Sequence, residues 1–414
     1  MQNISSKKKL IVLLNLSGSY KAGAQRRYLA LFKYLQQNNQ NDYFLLLNDS
    51  LYDECFNDNI LTDTKNVICV PIKYGRKTPA KTQNSIIKNN SQVSHNPIKE
   101  SKLYNFLGSV SSFLKQFRAW ISYSLQLIKI IKNFNIGIIY AVFTGGIWSW
   151  HMAKLFNIKF IYSYNDSAAS MIESNFLRIF SSERYALKYA DKIDFLSPGI
   201  LLKLKEKGMN IDENKALFTP NSFILYDYFI PEYPKKDWVV FSARMTKLKN
   251  PDLLLQSIMI LNSRGINSFS VYFLGEGVLL PELIKQKEEL KLNNVFFEGG
   301  VSDTANYLKQ SKIFVSIQKD NNYPSQSLME AMACENAIIA SDVGETRRLV
   351  TEDEGILVPL SAEKIADAIQ FLLSNPAECY KFGTNARKKV LNEHSIENFS
   401  NYFFEITKSF NNKN

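Results

Sequence analysis

The chain has 414 residues, more than one ordinary hydrophobic core organises, so two or more domains are expected. Its 45% apolar and 21% charged content excludes a disordered chain. The formal net charge of +11 predicts attraction to an anion, namely a phosphate ligand, an acidic membrane face or nucleic acid, unless a Lys- and Asn-rich composition reflects codon bias alone.

The N-terminal half is predicted to alternate strands with helices. Leu10 to Leu16 is a buried strand, because the apolar run after three lysines is too short for a signal-peptide core. The loop Ser17 to Gly23 follows, and Ala24 to Leu35 shows helical spacing. A strand, a Gly loop and a helix are the opening of a Rossmann-like unit. Further buried strands are predicted at Tyr43 to Leu47, Val67 to Val70, Ile136 to Tyr140, Phe160 to Tyr164 and Ile193 to Leu196.

Two segments of this half depart from the alternation. Residues 76–101 are polar, basic and aperiodic, which predicts a long loop of the kind that is often functional. Residues 103–133 carry large apolar groups at helical spacing, interrupted by lysine and arginine. This pattern indicates either a core helix or helix pair, or a basic helix that docks on a membrane surface.

The pattern restarts after a polar linker at residues 231–237. Strands are predicted at Trp238 to Ser242, Phe269 to Leu274, Val295 to Phe297, Ile313 to Ile317 and Ala337 to Ala340. Helices are predicted at Asp252 to Arg264, Glu282 to Leu290 and Thr304 to Gln310, then around Glu330 and from residue 396 to the end. The chain is therefore predicted to be α/β, with two doubly wound Rossmann-like domains facing across a cleft, the usual ligand site in such a fold.

Cysteines and histidines are few and scattered. The four cysteines form no CxxC pair, which argues against zinc and against a disulfide framework, and favours a cytoplasmic location. Three histidines far apart in sequence predict no His-rich metal site. No segment reaches the length of apolar sequence that a transmembrane helix needs.

Basic residues follow the first strand of the second half. Arg244 and Lys249 lie beyond its carboxyl end, where open α/β sheets bind ligands, and an Arg fork with a nearby Lys suits two phosphates. Gly275 opens a GxG turn after the next strand, at the same predicted sheet edge.

The helix that carries Glu330 begins after Pro324. Ser325 is predicted to cap it, and Leu328 leaves no acid or amide for a capping box, so free first-turn amides are available to a phosphate. Glu330 is either a satisfied structural acid or an acceptor for ribose hydroxyls. Asn336 is predicted to end the helix in a left-handed conformation.

These segments resemble the retaining glycosyltransferases of family 4, which have the two-domain GT-B fold. The resemblance rests on FSARMTKLKNPDLLLQSI, FLGEG, VFFEGGV, NYPSQSLMEAMAC and ASDVGETRRLV, in this order between about residues 238 and 360. The first half resembles the family more loosely, through its opening strand and KAGAQRRYLALFKYL. The implied domains are residues 1–225 on the acceptor side, residues 226–395 for the nucleotide sugar, and a helix at 396–414 that packs back on the first domain.

The resemblance implies a role for each candidate residue. Arg244 and Lys249 would hold the diphosphate, and Glu330 would bind the ribose. The amides near Ser325, Gln326 and Ser327 would support the phosphate and the donor sugar. Gly18 and Gly23, in the loop from residue 17 to 23, would close over the diphosphate. No metal and no cofactor are implied, because Arg, Lys and a helix start stabilise the departing nucleotide diphosphate.

Two positions depart from the family. Asn321 and Asn322 stand where many members carry an acid that contacts the donor sugar; an amide such as that of Asn322 can still bond to a hydroxyl, without negative charge. Asn165 and Asp166 stand where many members carry a histidine. Asp166 either orients the acceptor or sugar, or only forms a turn.

The expected function is transfer of a sugar from a nucleotide diphosphate sugar to a glycan or lipid-linked acceptor, in bacterial surface polysaccharide synthesis. The basic loop 76–101 and the helix after it would bring the enzyme to the anionic inner face of the membrane. The alternative is a catalytically silent relative that serves as a binding or scaffolding protein. A nucleic-acid binder is not expected, because no RNA- or DNA-binding module is recognisable.

Overall fold

A computed structural model describes residues 9–13, 23–72, 102–165, 182–220 and 227–411. The predicted basic loop 76–101, Gly18 and Asp166 lie outside the described residues. Contacts divide the chain into two units. The first is Met1–Gln25, Asn39–Ser163 and Ser174–Ile193, and the second is Arg26–Asn38, Tyr164–Glu173 and Asp194–Asn414. The domain boundaries given above stay a prediction.

The first sheet has seven strands in the order β3-β2-β1-β4-β5-β6-β7. Its strands are β1 Lys9–Leu13, β2 Tyr43–Asn48, β3 Val67–Val70, β4 Ile136–Val142, β5 Lys159–Tyr164, β6 Lys192–Phe195 and β7 Ala216–Phe218. The helices along this stretch are α1 Gly23–Gln37, α2 Asp49–Asn57, α3 Lys102–Phe134, α4 Thr144–Leu155, α5 Ser182–Tyr189 and α6 Pro198–Glu206. β1 pairs in parallel with β2 and with β4, so each next strand is reached by a crossover.

The predicted helical region 103–133 is one continuous helix, α3. In its described part, Tyr123 and Leu127 are fully buried, which gives this face a core role. Among the residues that the structure describes, no helix combines the length and apolar character needed to span a bilayer. The sequence missed α2, although Asn48 caps it by accepting a hydrogen bond from the amide of Leu51.

The second sheet has six strands in the order β10-β9-β8-β11-β12-β13, and every recorded pairing is parallel. Its strands are β8 Lys236–Ser242, β9 Ser270–Leu274, β10 Val295–Gly299, β11 Ser311–Ser316, β12 Ala337–Ser341 and β13 Gly355–Val358. The helices are α7 Pro251–Ser263, α8 Leu280–Glu289, α9 Ala305–Leu308, α10 Gln326–Ala333, α11 Ala362–Ser374, α12 Pro376–Glu393 and α13 Ile396–Asn411.

Alternate residues of the second sheet enter two separate cores. Val239 and Phe241 of β8 belong to a cluster with α7 and α11, whereas Val240 belongs to a cluster with α10 and α12. Strands buried on both faces explain the continuous apolar runs in the sequence. The predicted α/β class with two parallel Rossmann-like sheets is confirmed. The strand order reverses between β8 and β11, and such a switch point is where open α/β sheets bind ligands.

The terminal helix predicted at 396–414 is present as α13. It packs Phe399 against Tyr28 of α1, with ring centroids 5.8 Å apart. Tyr402 donates a hydrogen bond to Asp194 of β6. Residues 28, 194, 399 and 402 all belong to the second unit.

Candidate active site at the carboxyl edge of the second sheet

Gly275 allows the loop after β8 to approach the end of β9. Its φ is 138°, and a Cβ there would lie 2.1 Å from the backbone oxygen of Ala243, too close for any other residue. The approach is fixed by the amide of Ala243 donating to the oxygen of Leu274 (3.0 Å) and that of Met245 donating to the oxygen of Glu276 (2.9 Å). The structure thus confirms that Gly275 and Arg244 lie at the same sheet edge.

Arg244 and Lys249 form a pair of cations beyond β8. Arg244 is exposed, whereas Lys249 is half-buried and donates a hydrogen bond to the side chain of Gln318. Burial lowers the pKa of Lys249, and the nearby charge of Arg244 lowers it further. Two like charges that disfavour each other are stabilised by an anion, so the pair is suited to a diphosphate.

Gln318, which the sequence reading missed, joins the strands on either side of the switch point. Besides Lys249, its side chain binds the backbone oxygen of Asn321. Its own backbone oxygen accepts from the hydroxyl of Ser341 at 2.8 Å. The amide of the next residue, Lys319, donates to the oxygen of Leu248 (2.9 Å). A polar residue directly after a buried strand at the switch point was the available signal.

The start of α10 offers unpaired amides. Ser325 occupies the N-cap position as predicted, but its side chain makes no capping hydrogen bond, so that part of the prediction is wrong. Its backbone oxygen accepts the first helical bond, from Met329, at 3.1 Å. Within the described residues, no hydrogen bond is recorded for the amides of Gln326, Ser327 and Leu328. Such amides at a helix start attract a phosphate.

Glu330 is nearly buried, with 6% of its surface exposed. Gln326 donates to its Oε1 at 2.9 Å, and Arg26, a residue of the same unit, lies 3.5 Å from that oxygen. Burial raises the pKa of Glu330, while Arg26 and hydrogen bonds from Gln326 and Thr304 oppose the rise. The protein already supplies donors to this carboxylate, so ribose hydroxyls would have to compete with them. Ribose binding by Glu330 stays a prediction.

Asn321 and Asn322 are both bonded to the protein. Asn322 is fully buried, and its Nδ2 lies 2.8 Å from the hydroxyl of Ser316. Its predicted contact with the donor stays a prediction. The Oδ1 of Asn321 accepts from the amide of Glu345 at 2.9 Å, and so ties the loop before α10 to the turn after β12. Gly344 fits against this side chain, because a Cβ there would lie 2.9 Å from Oδ1.

Asn336 does not end α10 in a left-handed conformation. Glu335 takes that conformation instead, with a φ of 58°. The buried side chain of Asn336 donates to the backbone oxygen of Leu308 at 3.0 Å and also reaches Ser311. Its amide therefore connects α10 to the strand β11 rather than closing the helix.

Gly18 and Asp166, also predicted for the site, lie outside the described residues. Gly23 is the first residue of α1 and belongs to the first unit. Within the described ranges, no group of three or more His, Cys, Asp or Glu residues is placed to hold a metal ion. His151 packs against Trp120 with ring centroids 4.5 Å apart, and burial lowers the pKa of this histidine to about 4.

The second sheet lies within a segment that matches a known protein family. Residues 228–389 match the family model described as glycosyl transferases group 1. The poly(ribitol-phosphate) alpha-N-acetylglucosaminyltransferase of Staphylococcus aureus (strain COL) is 24% identical over 237 residues, which are 55% of this chain and 46% of that protein. The chain thus spans about half the length of that curated relative.

Solved structures resemble nearly the whole chain. HepE of Anabaena, solved in complex with UDP, is similar with a TM-score of 0.72 and 13% identity, over 97% of this chain and 100% of that one. A glycosyltransferase from Rickettsia africae gives a TM-score of 0.69 and 18% identity, over 98% and 100%. At these identities the likeness shows the fold, which is the predicted GT-B fold of glycosyltransferases.

Proposed function

We propose that this protein is a retaining, metal-independent glycosyltransferase of family 4 that transfers a sugar from a nucleotide diphosphate sugar. The observation that carries the proposal is the pair of cations Arg244 and Lys249 at the switch point of the second sheet. The match of residues 228–389 to group 1 glycosyl transferases supports it. The name of the Staphylococcus aureus relative, which acts on poly(ribitol-phosphate), supports a polymer as the acceptor.

In the proposed reaction the bond between the anomeric carbon and the diphosphate oxygen breaks, and the diphosphate keeps the electron pair. The acceptor hydroxyl bonds to the same carbon on the face that the leaving group vacates, and its proton passes to the departing phosphate oxygen. Arg244, Lys249 and the free amides of α10 would stabilise the negative charge that develops on the diphosphate. This electrostatic role is the one that a divalent metal would otherwise fill.

Nucleotide binding is the first test of this proposal. We would measure the thermal stability of the full chain against UDP, GDP and their sugars. A ligand at a hundred times its dissociation constant stabilises a protein by about 2.7 kcal/mol. The shift should disappear in Arg244→Ala and Lys249→Ala. It should persist in Lys285→Ala, which removes the same charge from an exposed position on α8.

A catalytically silent binding protein is the second candidate. Asn321 and Asn322 motivate it, because neither brings a negative charge to the donor sugar and both side chains are bonded to the protein. Turnover distinguishes the two candidates. Release of UDP or GDP from its sugar, with transfer to a glycan or lipid-linked acceptor, excludes the silent protein, whereas nucleotide binding without turnover favours it.

The acceptor would be met at the inner face of a membrane. Three exposed apolar side chains follow each other at helical spacing on α3: Phe117 (45% exposed), Ile121 (40%) and Leu125 (57%). Arg118 lies beside them and is exposed. A helix of this kind can insert its apolar side chains into the interface of an anionic bilayer. Liposome flotation without preference for anionic lipid would remove this part of the proposal.

A further inference from the structure

A cavity lies at the opposite, amino-terminal edge of the second sheet. Its volume is about 550 Å³, which is in the usual range for small-ligand sites. The first residues of β8, β9 and β10 and the loops that lead into these strands line it. Four steps along β8 separate Trp238 in this cavity from Ser242 at the other edge, a distance of roughly 13 Å. We call it the amino-edge pocket.

Aromatic rings form one wall of the amino-edge pocket. Trp238 and Phe296 line it, and Phe296 is 38% exposed. Tyr272 lies between the two, with its ring centroid 4.7 Å from that of Trp238 and 5.2 Å from that of Phe296. The rings of Tyr272 and Phe296 are nearly parallel, at 20°. Trp238, which is half-buried, and Phe296 thus bring partly exposed aromatic surface to a polar cavity.

Amide side chains form the rest of the wall. Asn262 and Asn294 bind each other, with Nδ2 and Oδ1 3.2 Å apart, and Asn267 and Asn293 are exposed. A carboxamide both donates and accepts hydrogen bonds, as does a hydroxyl group. Flat rings beside several carboxamides match a pyranose, whose apolar C–H face stacks on a ring while its hydroxyls bond at the edge.

The charges around the amino-edge pocket do not favour nucleic acid. Asp237 is paired with Lys312 at 2.6 Å. Lys236 lies over the ring of Trp238, with Nζ 4.3 Å from the centroid, and Lys291 is exposed. Nucleic-acid binding needs several cations that each contact a phosphate. Two lysines next to an acid do not supply that number. Lys236 is an exposed, flexible side chain that can leave the ring when a sugar stacks there.

We propose that the amino-edge pocket is a carbohydrate-binding site, distinct from the candidate active site. It would hold a segment of a glycan whose reacting end lies elsewhere. That this glycan is the acceptor polymer rests on the proposed function. Carbohydrate binding by the pocket does not, because it requires no nucleotide.

The test is direct binding of neutral oligosaccharides to the full chain, with maltopentaose, cellopentaose and chitopentaose as probes. Saturation-transfer NMR and calorimetry, without nucleotide, should show at least one of them binding with a millimolar or lower dissociation constant. Trp238→Ala and Phe296→Ala should each weaken this binding about tenfold, the effect of losing one ring contact. Phe371→Ala, which removes an aromatic side chain that is 43% exposed on α11, should leave it unchanged.

A milder variant covers the case in which Trp238→Ala does not fold. Asn293→Ala changes an exposed side chain and should also weaken binding. The proposal is overturned if none of the three probes binds, or if binding persists unchanged in Trp238→Ala, Phe296→Ala and Asn293→Ala. It is also overturned if UDP or GDP displaces the sugar, which would place the sugar at the carboxyl edge. A protein that binds sugar but no nucleotide would refute the proposed function and leave the pocket assigned.

Discussion

Replacing Gly275 by alanine should separate the loop of Arg244 from β9. The new Cβ would meet the backbone oxygen of Ala243 at 2.1 Å, and no side-chain rotation relieves a clash between two backbones. The positive φ of 138° adds strain of about 1–3 kcal/mol. Movement of the loop also breaks the hydrogen bonds that the backbone amides of Ala243 and Met245 donate, which contribute about 1 kcal/mol each.

Gly265→Ala is the matched control. Gly265 also has a positive φ, of 78°, but no atom lies within 4 Å of the place that a Cβ would occupy, so only the strain is shared. Gly275→Ala should therefore lower the free energy of unfolding by about 2 kcal/mol more than the control does, measured by urea denaturation.

Nucleotide affinity supplies the second measurement on this pair. A displaced Arg244 would lose the charge-assisted contact with the diphosphate that we propose for it. Such a contact contributes about 1.5–3 kcal/mol, or roughly 10- to 150-fold in the dissociation constant. Gly265→Ala should bind like the unchanged protein in calorimetry. Equal destabilisation by the two substitutions would refute the packing argument. Normal nucleotide binding by Gly275→Ala would refute the role of the loop that carries Arg244.

Three further predictions concern charge and loop order. Because burial and Arg244 lower the pKa of Lys249, nucleotide affinity should be full at neutral pH and fall as alkaline pH deprotonates this lysine. Calorimetry in buffers of different ionisation enthalpy should show that the protein takes up a proton on binding at alkaline pH. This proton uptake should be absent in Lys249→Met. Asn321→Ala removes the acceptor for the amide of Glu345 and should weaken nucleotide binding several-fold. Asn321→Asp keeps the acceptor and should retain nucleotide binding. An equal loss of binding in both variants would contradict this role of Asn321. Burial lowers the pKa of Lys235 from 10.5 to about 8, so between these pH values the lysine is protonated in the unfolded chain but not in the folded one. The free energy of unfolding should therefore rise with pH across this window by up to about 3 kcal/mol. Denaturation curves of Lys235→Met should lack this rise.

The sequence predicted the second sheet well because its strands are buried on both faces. The runs around Val239, Phe273 and Phe314 are continuously apolar, and Ser242, Gly275 and Ser316 follow them. Local patterns of this kind identify strands and their order in an alternating fold. The placement of Arg244 and Gly275 at one sheet edge followed, since consecutive parallel strands end at the same edge.

What the sequence could not supply are the contacts between segments far apart in the chain. Gln318 reaches Lys249 across 69 positions, and Asn321 meets Glu345 across 24. Neither partner is implied by local spacing. The sequence analysis misplaced the left-handed residue after α10 by one position. The side chain of Asn336 is hydrogen-bonded to Ser311 and Leu308, and Glu335 takes the left-handed conformation instead. Long-range hydrogen bonds overrode a local preference there.

Asn321 and Asn322, which stand where an acid was expected, affect how the charges that develop during sugar transfer would be stabilised. A carboxylate beside the donor sugar would stabilise positive charge on the anomeric carbon, and Asn321 and Asn322 cannot. In the proposed reaction, however, the negative charge develops on the diphosphate, and the groups suited to it are present: Arg244, the half-buried Lys249 and the amides at the start of α10. Loss of the acid should therefore slow turnover more than it weakens nucleotide binding, whereas Arg244→Ala should lower both. Nucleotide binding that survives Arg244→Ala and Lys249→Ala unchanged would overturn this division of roles.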